Sequence, residues 1–290
     1  MVKARLRKLV RHDDGRTIKT LADAVIRITA LLASLFVIGT AQANERFITL
    51  SSSTSMEDSG LFGYILPIFR SASGINVHPI VVGTGQALAI GERGDADALL
   101  VHDRIGEEKF VADGFGIDRR GVMYDDFVVV GPDTDPAGIR PLKDVLKAFT
   151  QIARVRVLFV SRGDDSGTHR TELRLWKLAG IQDPRGPWYR ELDRRMGLTL
   201  NTAAAINAYT LTDRATWANF KTRQHLEILI AGDPALINPY SSILVNPAKW
   251  PHVKVNDART WHEWLTSKPG ADAIASYRIN GEQVFFPLND

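Results

Sequence analysis

The 290-residue sequence contains no cysteine. That excludes disulfide bonds, Cys-ligated zinc or iron–sulfur sites, thiol nucleophiles and a lipid carried on an amino-terminal cysteine. A long apolar run is lacking too. The stretch Ile28–Ala43 is uncharged, but its apolar core is confined to Ala30–Gly39, well short of the ~20 residues a membrane span requires. Compositional bias is also missing: 44% hydrophobic and 24% charged residues describe an ordinary globular protein with enough chain to bury a core. Finally, neither sign of charge dominates, with 36 Lys+Arg against 33 Asp+Glu, a formal +3.

The small positive excess is not evenly spread. Residues 1–43 hold eight of the basic side chains, from Lys3 to Arg27, and only three acidic ones, Asp13, Asp14 and Asp23. A basic lead, a short apolar core and the small-x-small end Ala41-Gln42-Ala43 predict a secretory signal peptide over residues 1–43, cleaved near Ala43. The remaining residues 44–290 carry 28 basic and 30 acidic side chains, so the exported body is near −2. It has no electrostatic claim on nucleic acid.

Along that body, β-rich apolar runs alternate with amphipathic segments. Strands are predicted at Phe47–Leu50, Ile75–Val82, Ala98–Val101, Phe127–Val130, Val157–Val160, Leu226–Ala231 and Ile243–Val245. Helices are predicted from Leu61 to Phe69, where Pro67 should bend or shorten the element, and at Gln86–Glu92, Glu107–Ala112, Leu142–Ile152 and Ser166–Leu178. Further helices are predicted around Tyr189–Met196 and at Thr199–Ala208, Ala258–Thr266 and Ala271–Ser276. Strand–helix alternation implies parallel βαβ units in an α/β fold. The turn-rich passage Gly131–Gly138 suggests a crossing between two lobes, giving residues 44–131 and 237–290 to one lobe and 132–236 to the other, with a ligand cleft between them.

In parallel sheets, ligands bind beyond the carboxyl ends of strands, where helix N-termini present backbone NH groups. Three such junctions are rich in hydroxyls and glycines: Ser51–Ser55 with Asp58-Ser59-Gly60, Gly83-Thr84-Gly85-Gln86, and Ser161–His169. Any one of them is what an ordinary helix cap uses. Three at equivalent strand ends point instead to a donor-lined oxyanion cradle, with Arg162 adding a charge-assisted hydrogen bond.

These residues carry a resemblance. SSTSMEDSG (52–60), VGTGQAL (82–88), GDADALLVHDR (94–104), VMYDDFVVVGPDTDPAGI (122–139), FVSRGDDSGTH (159–169), AYTLTDR (208–214) and NPY (238–240) resemble, in order and over most of residues 46–250, the tungstate-binding proteins of ABC importers, the TupA type. The resemblance implies a two-lobed periplasmic type II binding-protein fold closing over a tetrahedral oxyanion and docking on an inner-membrane permease. It implies ligand contacts from Ser52, Ser53, Thr54, Thr84, Gly85, Arg162, Ser166, Gly167 and Thr168, with Arg162 on the oxyanion. Serines stand at 52 and 53 where the family has threonines, which keeps the hydroxyl donors. Leu192–Gly197, with Arg194 and Arg195, replaces a glycine-rich segment of the family, so contacts from residues 193–200 are open.

Other features read more plainly. His78, His102, His169, His225, His252 and His262 lack metal-site spacing and are expected at the surface or in caps. Asp125-Asp126 and Asp164-Asp165 are expected to cap helices or pair with arginines, and Trp176, Trp188, Tyr209 and Trp217 to pack in cores or on lobe surfaces. No G-x-S-x-G elbow or G-x-G-x-x-G fingerprint is present. The expectation is therefore a monomeric periplasmic carrier of tungstate or molybdate with no catalytic role, no cofactor and no protein-bound metal beyond the oxyanion itself. Phosphate is the alternative ligand, with Asp164 or Asp165 accepting its proton, and a phosphoester hydrolase is the alternative from another class. Arg162→Ala is expected to weaken binding at little cost to the unliganded protein.

Overall fold

The sheet at the centre of the molecule is mixed, because one return strand lies antiparallel between the parallel set and a very long strand. The computed structural model describes residues 45–288; the signal peptide expected over 1–43 lies outside the described residues, and the described residues from Arg46 onward form one compact unit. In chain order the elements begin β1 (Phe47–Ser53), α1 (Thr54–Asp58), α2 (Leu61–Ser73), β2 (Asn76–Val82), α3 (Thr84–Glu92), β3 (Ala98–Val101), α4 (Arg104–Ala112) and β4 (Gly116–Pro132). The chain continues through α5 (Val145–Val155), β5 (Phe159–Ser161), α6 (Gly167–Leu178), β6 (Tyr189–Glu191), α7 (Met196–Ala205), β7 (Thr210–Asp213), α8 (Arg214–Asn219) and β8 (Leu226–Ile230). A 3-10 turn at Pro234–Leu236 leads to β9 (Ile237–Val245), α9 (Val255–Thr266), α10 (Lys268–Ser276), the short pair β10 (Arg278–Ile279) and β11 (Glu282–Gln283), and β12 (Phe286–Pro287).

β1 pairs in parallel with β2 and with β3, each connection passing through helix, as parallel pairing demands. β9 then lies antiparallel between β3 and β4. β4 is 17 residues long. Its first part, Gly116 to Asp126, pairs with β9, and its last part, Phe127 to Pro132, pairs antiparallel with β7 and β8. The expected parallel βαβ units are present in β1, β2 and β3, and these ladders add antiparallel strands to them. The turn at Asp133–Gly138 follows the end of β4, while the change of partners occurs inside the strand.

Apolar side chains fill both faces on either side of that change. Ile48, Leu50, Phe69, Trp261 and Phe285 pack on one face of the first sheet half, and Leu99, Phe110 and Ile243 on the other. Phe127, Phe149, Phe159, Trp176 and Tyr209 pack together beyond it, with Val128, Val130, Val160, Leu200 and Trp217 on the opposite face. Alternation along β4 explains the split of Phe127 and Val129 from Val128 and Val130.

Two local expectations change. The helix predicted around Tyr189–Met196 is absent: Tyr189–Glu191 forms a strand beside β5, Asp193 takes a left-handed φ of 52°, and helix begins only at Met196. The aromatic cluster of Tyr189 with Phe159, Trp176 and Trp188 outweighs the helical spacing of 189, 192 and 196. Conversely, α2 runs through Pro67 for 13 residues. Its Leu61, Phe62, Ile65 and Phe69 are buried, and their core packing offsets the roughly 3 kcal/mol that an interior proline costs.

Candidate oxyanion site

The three junctions singled out in the sequence meet in space. Arg162, at the end of β5, donates from Nη2 to Thr54 Oγ1 at 3.2 Å, joining the third junction to the first. Gly83 and Gly85 bring the second against the third. A Cβ on Gly83 would stand 3.3 Å from the Asp164 carbonyl oxygen, and one on Gly85 would overlap the Asp165 carboxylate and the Arg170 guanidinium. The missing side chains at 83 and 85 are what let α3 approach the 164–166 loop so closely. That loop is itself tightly wound, with Gly163 and Asp165 at φ of 63° and 53°.

At this meeting point, polar atoms are buried without partners. Ser53 Oγ, Thr84 Oγ1, Thr168 Oγ1 and Arg162 Nη1 all lack a hydrogen bond, although Arg162 is only 1% exposed. Leaving such groups buried and unpaired costs about 1–3 kcal/mol each, so their concentration marks a place built for a partner. Neither Ser53 ahead of α1 nor Gly83 ahead of α3 supplies a side-chain cap, and the first NH groups of a helix have no partner within it. The remaining Arg162 donors are held by Asp164, at 2.6 and 3.1 Å from Oδ2, which orients the guanidinium.

Not every expected contact is free. Ser52 Oγ donates to the Leu100 carbonyl at 2.6 Å, and Ser166 Oγ caps α6 by accepting from His169 N at 3.2 Å. Both are buried, and both hydroxyls serve the scaffold. Thr54 accepts from Arg162, and Gly167 opens α6 beside Thr168. Arg194 is exposed and donates to the Asp193 carbonyl, while Arg195 reaches Glu57 at 3.2 Å and the Val81 carbonyl at 3.4 Å. Arg195 thus ties the β6–α7 loop to α1 from outside the cradle. On another side, Arg170 links Asp165 to Asp103 at 2.6 Å.

Sequence reasoning missed a buried polar layer behind these groups. His102, the residue after β3, is buried and stacks on Tyr240 at 4.7 Å. Asn238 bridges His102 Nδ1, at 2.9 Å, and Asp125 Oδ1, at 2.6 Å. His102 and the fully buried His262, whose Nδ1 contacts Ser242 Oγ at 2.8 Å, correct the expectation that the histidines are surface or capping residues. The strand-end rule that found the other junctions also applies to His102. Burial keeps the His102 imidazole neutral, lowering its pKa to about 4, and burial raises Asp125, Asp213 and Asp58. Asp126, pointing to the other strand face, forms a two-pronged pair with Arg214 at 2.6 Å. Among the described residues, no group of His, Asp and Glu is placed to hold a metal ion.

Residues 39–269 match the family described as the PBP superfamily domain. The chain belongs to the PBP superfamily. Among relatives of this PBP-superfamily chain, a putative ABC transporter anion-binding protein of Haloferax volcanii is 44% identical over 245 residues, covering 83% of this chain and 71% of the relative. The tungstate-binding protein TupA of Peptoclostridium acidaminophilum is 42% identical over 232 residues, covering 79% and 81% respectively. The crystal structure of a tungstate ABC transporter protein from Geobacter sulfurreducens aligns with a TM-score of 0.74 at 47% identity, covering 80% of this chain and 99% of that one. The PBP fold and the convergent donor cluster therefore occur in one molecule.

Proposed function

We propose that the protein is the substrate-binding component of an ABC importer, capturing tungstate, or the similarly shaped molybdate, outside the inner membrane and delivering it to a permease. It is a binding protein and not an enzyme. The observation that carries the reading is the set of buried, unpartnered groups Ser53 Oγ, Thr84 Oγ1, Arg162 Nη1 and Thr168 Oγ1 on three converging loops, in a chain whose relatives carry tungstate-binding names. Hydroxyls, helix NH groups and a single guanidinium offer donors to every oxygen of a fully deprotonated oxyanion.

Residues 44–131 and 237–290 would then form one lobe and 132–236 the other. Closure would bring Arg162 onto Thr54, with the Arg170–Asp103 and Arg195–Glu57 pairs on the flanks. Export rests on the leader in residues 1–43, and the exported form works as a monomer with the permease as its protein partner. A hydrogen phosphate would need an acceptor for its proton. Asp164 is committed to Arg162 and to Ser166 N, and Asp165 to Arg170. Half-buried Asp58 and fully buried Asp213 each keep one unpartnered oxygen for that alternative.

The test is thermal unfolding of the protein with tungstate, molybdate, sulfate, phosphate and vanadate in turn. A ligand at about 1,000 times its dissociation constant stabilises by roughly 4 kcal/mol, which shifts the midpoint visibly. The expected order places tungstate and molybdate first. A strong response to phosphate with none to tungstate would overturn the reading.

A further inference from the structure

We propose that His102 is a further oxyanion-binding and specificity-determining residue, its Nε2–H closing the cradle beside Gly167 while Asn238 and Asp125 hold that proton in place. The proposal rests on the oxyanion reading of the site and adds a fourth strand end to the three found from the sequence. His102 follows β3, which pairs in parallel with β1 and antiparallel with β9. It is 4% exposed, and its Nε2 has no partner. The ring lies flat against the start of α6: a Cβ on Gly167 would stand 2.6 Å from Nε2 and 2.9 Å from Nδ1. Only glycine at 167 admits the imidazole. That contact places a polar ring nitrogen next to Thr168, whose hydroxyl is also buried and unpartnered.

What Nε2 presents depends on the groups behind it. The other ring nitrogen meets Asn238, and Asn238 meets Asp125 and the Tyr240 hydroxyl, the latter at 3.2 Å. An amide serves these contacts in two settings, because exchanging its oxygen and nitrogen keeps both. With the nitrogen toward Asp125, the amide oxygen accepts from His102 Nδ1–H, and Nε2 faces Gly167 as a bare lone pair, which repels an anion. With the amide reversed, protonated Asp125 donates to the Asn238 oxygen and the Asn238 NH2 donates to Nδ1. Nε2 then carries the ring's single proton.

Two observations select the second setting. Asp125 is fully buried and its Oδ2 has no partner, so a proton on this acid finds its acceptor through Oδ1, at the amide. Burial, with Asp213 and Asp126 as neighbouring carboxylates, also favours the protonated acid at Asp125. In this setting a neutral imidazole donates to a ligand oxygen with no charge added to the pocket. A tetrahedral dianion with four bare oxygens accepts that bond. A hydrogen phosphate turned with its hydroxyl toward His102 meets a donor where it needs an acceptor. Nε2–H is a donor only, as the Arg162 guanidinium is, so it adds to the donors that four bare oxygens satisfy and the three of a hydrogen phosphate do not.

The experiment is calorimetric titration of the full chain with tungstate, and separately with phosphate, for wild type, His102→Gln and His102→Asn at neutral pH. A glutamine amide reaches the Nε2 position, whereas asparagine reaches only the Nδ1 position and keeps the bond to Asn238. The proposal expects His102→Gln to bind tungstate within a few-fold of wild type and His102→Asn to lose about tenfold or more, with phosphate affected less. A histidine that only braces Asn238 gives the reverse order, and that result overturns the proposal. Nitrogen-resolved NMR of the imidazole rings in wild type plus tungstate reads the proton directly and does not depend on either variant folding: a proton on Nε2 supports the proposal and one on Nδ1 alone overturns it. Failure of wild type itself to bind tungstate would instead refute the oxyanion reading, so the two failures are distinguishable.

Discussion

At the scale of single residues, hydroxyls that share a sequence motif divide by whether they already have a partner. Ser52 and Ser53 are adjacent, yet Ser52 Oγ is bonded to the Leu100 carbonyl and Ser53 Oγ to nothing. Neighbouring strand residues face opposite ways, so one serves the sheet and the other the cradle. Ser53→Ala, Thr84→Val and Thr168→Val are each expected to weaken tungstate binding about fivefold to tenfold, while leaving the unliganded melting temperature unchanged or slightly higher, because each removes an unpaired buried group. Ser52→Ala should do the opposite, lowering stability by about 1 kcal/mol with binding little changed; titration and thermal melts on the four variants check both patterns. Arg162 is a different case. Its burial against Asp164 ends the expectation that Arg162→Ala would be structurally neutral, since removing one partner of a buried pair costs about 3–5 kcal/mol. Arg162→Lys keeps the charge and loses the fork, so it is the cleaner probe, and titration should show it weakening binding by about tenfold or more.

At the scale of elements, α6 carries both a start proposed to face the ligand and a buried acid one turn further in. Glu172 on α6 accepts from Trp176 Nε1 at 3.1 Å and Tyr189 OH at 2.8 Å, and burial raises its pKa to about 7. The folded state therefore holds a proton that the unfolded chain, with an ordinary glutamate near 4.3, releases earlier. Between those values the native state binds more protons than the unfolded one, so stability falls as pH rises. Glu172→Gln removes that loss: its melting temperature should exceed that of wild type at pH about 8, with the advantage shrinking toward pH about 5. A constant difference across that range would refute the argument. The buried His102 contributes with the opposite slope. Its pKa of about 4 means that the unfolded chain takes up the proton first, so its stability contribution is lost as pH falls from the ordinary histidine value toward 4.

At the scale of the whole molecule, β4 and β9 decide how the parts communicate. β4 gives Met123 to one core and Phe127 and Val129 to another, and it exchanges β9 for β7 and β8 between Asp126 and Phe127. A continuous strand, β4, shared by both groups of cores makes separate melting of either group costly. Scanning calorimetry of the unliganded chain should accordingly show one transition, with calorimetric and van't Hoff enthalpies in agreement; two resolved transitions would contradict this.

The loops proposed to hold the oxyanion were legible because each is a contiguous stretch at a strand end: Ser51–Ser55, Gly83–Gln86 and Ser161–His169 declare themselves by hydroxyls and glycines without reference to the rest of the chain. The signal-like leader and the near-neutral body were likewise matters of counting. Tertiary structure decided which members of those loops remain free, because Ser52 is claimed by Leu100 and Arg162 meets Thr54 across 108 positions of sequence. It also made His102 part of the site. That residue gains its meaning from Asn238, 136 positions away, which arrives only because β9 inserts antiparallel between β3 and β4. Local pattern records which groups can donate; burial and long-range pairing, properties of the folded chain alone, determine which of them are left without a partner for the ligand to meet.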